Sequence, residues 1–230
     1  MEKIIAWAQQ LNFDSVLQTA MVVAASLLCI TVHETCHGYA AYLLGDPTAK
    51  RMGRLSLNPI KHIDLVGLIM MAVAHFGWAK PVPVDPRYFK DPKAGMAVTA
   101  LAGPVSNVVL AYAAVLLQSV CAALYYRNGS TVWEYVWTFF YCVEIISAGL
   151  AVFNIFPIPP LDGSKVLFAF LPQQAYDKLM RYERYGMGLL AILLLTNVLD
   201  APLLFLREGL QNGLNAIGTW PLYLILKLAG

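Results

Sequence analysis

One helical turn, Val32-His33-Glu34-Thr35-Cys36-His37-Gly38, constrains this chain more than any other stretch. Residues four apart in a helix stack on one face, so His33 and His37 can both aim an imidazole nitrogen at a single metal ion. Glu34, one residue along, can then reach a water on that metal and act as general base. The turn follows Met21-Val22-Val23-Ala24-Ala25-Ser26-Leu27-Leu28-Cys29-Ile30, which offers no solvated face. Ionisable groups at such depth are rare and mark function. Cys29 and Cys36 lie close enough to His33 to be imagined as ligands, but they read as small helix-packing residues.

Composition agrees with a membrane setting. Of 230 residues, 59% are hydrophobic and 13% charged, too apolar for a soluble domain of this length. The net charge is +2, and no basic tract interleaved with aromatics points to a nucleic-acid partner. The cysteines at 29, 36, 121 and 142 fall in apolar runs without paired spacing, which argues against both a disulfide framework and a zinc ribbon. The first apolar run contains the metal motif itself, so it does not read as a cleaved signal peptide.

The fold class expected is an all-α polytopic membrane protein. It has about four to six transmembrane or re-entrant helices, with a small β-hairpin element between the first two main spans. Residues 2–12 place Ile4, Trp7, Ala8 and Leu11 on one stripe, as an interfacial helix does. The main spans run from about Phe13 to Leu44, Gly95 to Tyr125, Trp133 to Phe156 and Gly186 to Leu206. Counted from Leu17, His33 lies about 24 Å along the first span.

Residues 45–93 are punctuated by Gly45-Asp46-Pro47, Asn58-Pro59, Pro81-Val82-Pro83-Val84 and Asp91-Pro92, through which no helix runs. Arg54-Leu55-Ser56-Leu57 alternates and Pro81 to Val84 is extended by its prolines, so both predict short edge strands. Leu65 to Phe76, about a dozen apolar residues, suits a re-entrant segment. Leu214 to Leu228 either crosses the bilayer or lies in its interface. The chain therefore reads as one membrane domain, 1–230, with its core at 13–171 and C-terminal helices at 172–230.

Eight of the sixteen Lys and Arg fall in residues 45–93 and four more in 158–185. By the positive-inside rule these segments face the cytoplasm, which puts the metal motif in the cytoplasmic half of the plasma membrane. A catalytic zinc takes three protein ligands and keeps a fourth position open. On residue type alone the third ligand is His62, His75, Asp162 or a cysteine. Asp162 follows span three back to the cytoplasmic side near the level of His37, and its other reading is the N-cap of the run that starts at Ser164.

Four motifs recur in order over roughly residues 30–165: His-Glu-Thr-Cys-His, Gly-Trp-Ala-Lys-Pro-Val-Pro-Val, Ala-Gly-Pro-Val-Ser-Asn and Phe-Asn-Ile-Phe-Pro-Ile-Pro-Pro-Leu-Asp-Gly. In these the chain resembles the site-2 protease family of intramembrane zinc metalloproteases. The resemblance implies that His33, His37 and Asp162 ligate one catalytic Zn²⁺ and that Glu34 activates the water. It implies a catalytic and substrate-holding role for Asn154, at the substrate backbone or the developing oxyanion. Asn107 is then the middle-motif Asn, placed with the substrate-binding residues. No stretch is long enough for a PDZ domain, so a minimal form of the family is expected.

The function expected is that of an intramembrane zinc endopeptidase acting within transmembrane segments, with single-span proteins in the lipid bilayer as substrates. A helix hides its carbonyls, so the substrate must unwind. An edge strand at 52–57 or 79–84 would hold it by strand addition, with Val82 and Val84 against it. The alternative is a non-hydrolytic metal-binding transporter or sensor. That reading would favour internal repeats, which are missing, and would leave Glu34 without a task. Glu144, in the middle of span three, belongs to none of the motifs and is expected to pair with Asn107 or with a neighbouring span.

Overall fold

The computed structural model describes residues 13–64, 67 and 79–229. The expected interfacial helix at 2–12, the re-entrant segment around residues 65–76 and His75 lie outside these residues, Gly67 excepted. In chain order the helices are α1 (Phe13–Leu43), α2 (Thr48–Arg51), α3 (Pro92–Asn128), α4 (Thr131–Ile155), α5 (Asp162–Ala169), α6 (Gln173–Tyr182), α7 (Gly186–Leu195), α8 (Asp200–Gly218) and α9 (Trp220–Ala229). Short 3-10 turns occupy Pro59–His62, Pro86–Tyr88 and Glu183–Tyr185. The helices α1, α3 and α4 are each long and apolar enough to cross a membrane. The C-terminal helices add a fourth span if α7 and the segment after it, bent by 88°, are counted as one.

Local chemistry sets the helix ends. Asp91 opens α3 by accepting from the backbone N–H groups of Lys93 and Ala94, and Pro92 takes the first helical position, where its missing N–H costs nothing. Gly129 closes the same helix at φ 63°, a conformation that favours glycine. Pro157, Pro159 and Pro160 follow the last residue of α4 and prevent its continuation.

The central helix is α3, which packs against α1, α4, α5, α8 and α9. Ala25 and Cys29 of α1, Ala114 of α3 and Val143 of α4 are buried where the three spans meet. Lipid offers helices no hydrophobic drive to associate, so close approach over small residues supplies the contact. A second cluster, Ala111, Val115 and Ala148, receives Leu214 of α8. A third, Leu161, Leu190 and Leu199, ties the segment after α4 to the start of the bent C-terminal unit.

Glu144 is buried within this packing, its two carboxylate oxygens accepting from Gln118 Nε2 at 2.7 Å and Asn215 Nδ2 at 3.0 Å. It thus joins α4 to α3 and α8 and does not pair with Asn107, whose carbonyl accepts from Ser147 Oγ at 2.9 Å.

Two expectations are corrected. Among the described residues there is no β-hairpin, only an isolated antiparallel bridge between Ile63 and Ala79. A ladder needs successive donors, and Pro81 and Pro83 remove two of them from residues 79–84, while residues 52–57, which hold no proline, turn locally with the Ser56 N–H donating to the Arg54 carbonyl at 3.0 Å. Nor is Gly186 to Leu206 one continuous helix. It breaks after Leu195, where the Thr196 hydroxyl turns back to the Ile192 carbonyl and Asn197 adopts φ 56°. Asn tolerates that left-handed region, and Asp200 and Pro202 suit the first turn of the next helix. The run from Leu214 to Leu228 is divided in turn between α8 and α9 at Thr219.

Replacing Glu144 by Ala is expected to cost about 1–3 kcal/mol by stranding the Gln118 and Asn215 amides. Unfolding in detergent micelles measures it, and Glu144→Ala combined with Asn215→Ala should cost less than the sum of the two single changes.

Candidate metal centre

The helical turn of α1 that carries His33 and His37 faces α3 on one side and the start of α5 on the other. His33 Nε2 and His37 Nε2 are 3.0 Å apart, and Asp162 Oδ2 lies 3.2 Å from the first and 3.1 Å from the second. All three side chains are buried. A tetrahedral zinc with bonds of about 2.0–2.1 Å sets its donor atoms about 3.3 Å apart. The three atoms therefore have nearly the spacing of one face of a zinc tetrahedron. Among the described residues this is the one such group of His, Cys, Asp or Glu. His62 is directed elsewhere, its Nε2 lying 2.8 Å from the Ser56 carbonyl oxygen, and Cys29 Sγ is aimed at the Val143 carbonyl.

The far side of each imidazole is also held. His37 Nδ1 donates to the Thr99 carbonyl at 2.7 Å, which leaves the Nε2 lone pair for a metal. The Asn107 side-chain amide sits 3.2 Å from His33 Nδ1. A neutral His33 that ligates through Nε2 carries its proton on Nδ1 and must donate, which requires the amide oxygen of Asn107 on that side. Asp162 is the first residue of α5, and Leu161 precedes it without a side-chain cap, so the carboxylate is not spent on capping. Burial pushes its carboxyl up, but the two imidazoles beside it outweigh that and hold it below the usual carboxylate range.

Two glycines let the backbones come this close. A Cβ on Gly103 of α3 would lie 2.4 Å from His37 Nε2 and 2.6 Å from His33 Cε1. A Cβ on Gly163 would lie 2.0 Å from the Ile155 carbonyl oxygen, so α5 could not then stack on the end of α4 and Asp162 would be carried away. In the sequence Gly103 is the glycine of Ala-Gly-Pro-Val-Ser-Asn, and nothing local to that motif marks its contact with both rings.

Two cavities meet at the site and share His33, Glu34, Asn154 and Pro160. One, of about 300 Å³, is walled mainly by apolar side chains including Leu27, Ile30, Phe153 and Leu190. The other, of about 340 Å³, is more polar and is bounded by Pro81, Val84, Met96 and Lys165. Glu34 thus stands at the junction, with one carboxylate oxygen accepting from the Val82 N–H at 2.9 Å.

Asn154 faces both cavities and donates from Nδ2 to the Leu150 carbonyl at 3.0 Å, which leaves its second amide hydrogen available. Val84 lines the polar cavity. Asn107 and Val82, both expected against substrate, stand differently towards these cavities. Asn107 is fully buried, lines neither of these cavities and reaches His33 instead. Val82 lines the polar cavity beside Val84, but its backbone donor is occupied by Glu34, so it is not a free strand edge. Lys165, one turn beyond Asp162, is a site residue that no motif flagged.

Comparison with known proteins bears on this geometry. The chain is 38% identical over 175 residues to a Bacillus subtilis (strain 168) protein named as a zinc metalloprotease, YwhC, an alignment covering 76% of this chain and 80% of that one. Residues 119–196 match peptidase family M50. The chain belongs to that family, the site-2 proteases. Two further relatives, also named as zinc metalloproteases, are the Rip2 proteins of Mycolicibacterium smegmatis and Mycobacterium tuberculosis H37Rv. Each is 27% identical, over 186 and 209 residues, covering 78% and 86% of this chain and 68% and 78% of theirs. No solved structure matches. As an M50 member with several apolar spans, the chain is an integral membrane zinc metalloprotease, and its His-His-Asp group fits a single zinc ion.

Gly103→Ala is expected to push both imidazoles apart and lower zinc affinity by about 10-fold or more, the scale on which disturbed ligand orientation acts. Competition with a chromophoric chelator measures it, with far-UV circular dichroism unchanged. Asn107→Ala, which frees the His33 ring, should weaken zinc by about 10–100-fold in the same assay.

Proposed function

We propose that this protein is an intramembrane endopeptidase that hydrolyses peptide bonds within transmembrane segments of other membrane proteins. The carrying observation is that the two histidines of the metal group lie inside an apolar helix, at the junction of an apolar and a more polar cavity. An apolar segment can occupy the first, and water can reach the scissile bond through the second.

His33, His37 and Asp162 are the residues that would hold zinc, and Asn107 and Thr99 orient the two imidazoles. Zinc bound there supplies positive charge that polarises a carbonyl and makes water acidic near neutral pH. Glu34 takes the proton of the attacking water and returns it to the leaving amine. Asn154 donates its remaining amide hydrogen to the carbonyl oxygen as that oxygen gains charge, in a site where low dielectric strengthens the bond. An unwound substrate exposes backbone groups that cost several kcal/mol each when unpaired in hydrocarbon, and the irregular chain near Val84 is the backbone on hand to meet them. The basic segments 45–93 and 158–185 are placed on the cytoplasmic side of the plasma membrane, the half in which the site then lies.

Incubating the purified, zinc-loaded protein with a panel of single-span helices tests the proposal. Glu34→Gln should retain one zinc and lose cleavage, and Asn154→Ala should lower kcat by about 10²–10³, or about 2.7–4 kcal/mol. Cleavage confined to unstructured peptides, with no helix cut, would refute the intramembrane assignment. For orientation, single cysteines at positions 56 and 130 should label from opposite sides of sealed vesicles. Labelling of both from the same side refutes the topology.

A further inference from the structure

We propose that the segment Pro81-Val82-Pro83 is a backbone device that positions Glu34, with the Val82 amide holding one carboxylate oxygen so that the other is presented to the reacting water. The inference rests on Glu34 as the general base of the zinc peptidase, not on where the substrate lies. Proline has no N–H, so of the three consecutive residues 81–83 only Val82 can donate. That donor lies 2.9 Å from Glu34 Oε2. A bond to an ionised carboxylate is charge-assisted and stronger than a neutral one, and an oriented base is what proton transfer in a fixed geometry requires.

The segment is anchored on both sides of Val82. Lys80 donates its N–H to the His62 carbonyl at 2.9 Å and accepts at its own carbonyl from Arg54 Nη2 at 2.7 Å. Asp85 donates its N–H to Asp46 Oδ2 at 2.7 Å, and Asp46 is itself fully buried. On the helix side, Gly38 lies one turn past Glu34. A Cβ there would come within 2.9 Å of Val82 Cγ1 and 2.7 Å of Leu55 Cδ2. Gly38 therefore leaves the space through which the segment reaches Glu34. These features give the prolines and the glycine a shared purpose, which neither strand addition nor simple packing supplies.

The test uses the intact zinc-loaded protein and an unstructured peptide substrate in detergent. Val82→Pro deletes the donor and should lower kcat by about 10–100-fold, with KM and bound zinc little changed. Val82→Ala keeps the amide and should lower kcat less than Val82→Pro does. Gly38→Ala should lower kcat by displacing Val82, and adding Val82→Ala should restore it, because the clashing Cγ1 is gone while the Leu55 contact is with the end of a flexible side chain. Independently of turnover, the carboxylate stretch in the infrared difference between metal-free protein and its Glu34→Gln variant should shift when Val82→Pro is introduced into both. Wild-type kcat in Val82→Pro, or an unmoved carboxylate band, overturns the inference. Should Val82→Pro lose zinc, the Gly38 pair decides: failure of Val82→Ala to restore Gly38→Ala overturns it equally. Cleavage of the peptide with no cleavage of membrane helices would remove the intramembrane reading and leave this one standing.

Discussion

Two imidazoles and a carboxylate are each expensive to bury among apolar spans, and they become tolerable when they share one charge-compensating contact. Their side-chain atoms lie within 3.2 Å of one another, which forces three backbones together: α1 with the histidines, α3 behind them and the first residue of α5 in front. Such an approach leaves no room for a side chain at Gly103 or for a Cβ at Gly163. The small residues that join α1, α3 and α4 serve the same end, because helices separated by larger side chains could not bring the donors into range.

Residues 79–85 show how a stretch without a strand ladder can still be held in place. Their prolines prevent a sheet, yet the donors that remain are assigned one by one: Lys80 to His62, Val82 to Glu34, Asp85 to Asp46. Asp46 also accepts from the Thr48 N–H, so one buried carboxylate ties the turn after α1 to the chain that leads towards α3. Buried backbone groups must be paired somewhere, and for Val82 and Asp85 the carboxylates of Glu34 and Asp46 take the place of a neighbouring strand. The wall of the polar cavity is thereby part of the apparatus that holds Glu34.

Much of the site was legible because it is local. The four-residue spacing of His33 and His37 and the apolar run before them carry a helix and a ligand pair without reference to the rest of the chain. The three long spans were legible for the same reason, and their ends lie close to those drawn from prolines and Asp-Pro starts. The third member of the group was less so. Several residue types could have supplied it, and the family resemblance pointed to Asp162. What the sequence left open at the site was direction. Extended, proline-bounded chain at residues 79–84 does not say which way its N–H groups point, and a polar Asn at 107 does not say whether it meets substrate or a histidine. The break after Leu195 failed for another reason, since apolarity runs unbroken through a bend that a single left-handed Asn can make.

The sequence by itself determined a membrane-spanning helical chain with a histidine pair and a glutamate on one turn of its first span, because hydropathy and helical period act over a few residues. The tertiary structure alone decided what surrounds them: Gly103 against both rings, Asn107 and Thr99 on the far nitrogens, and the Val82 amide on Glu34. Those contacts join residues 48 to 74 positions apart, where no local period operates. They depend on how closely backbones approach and where each leftover donor finds an acceptor, which packing settles only when all the spans are in place.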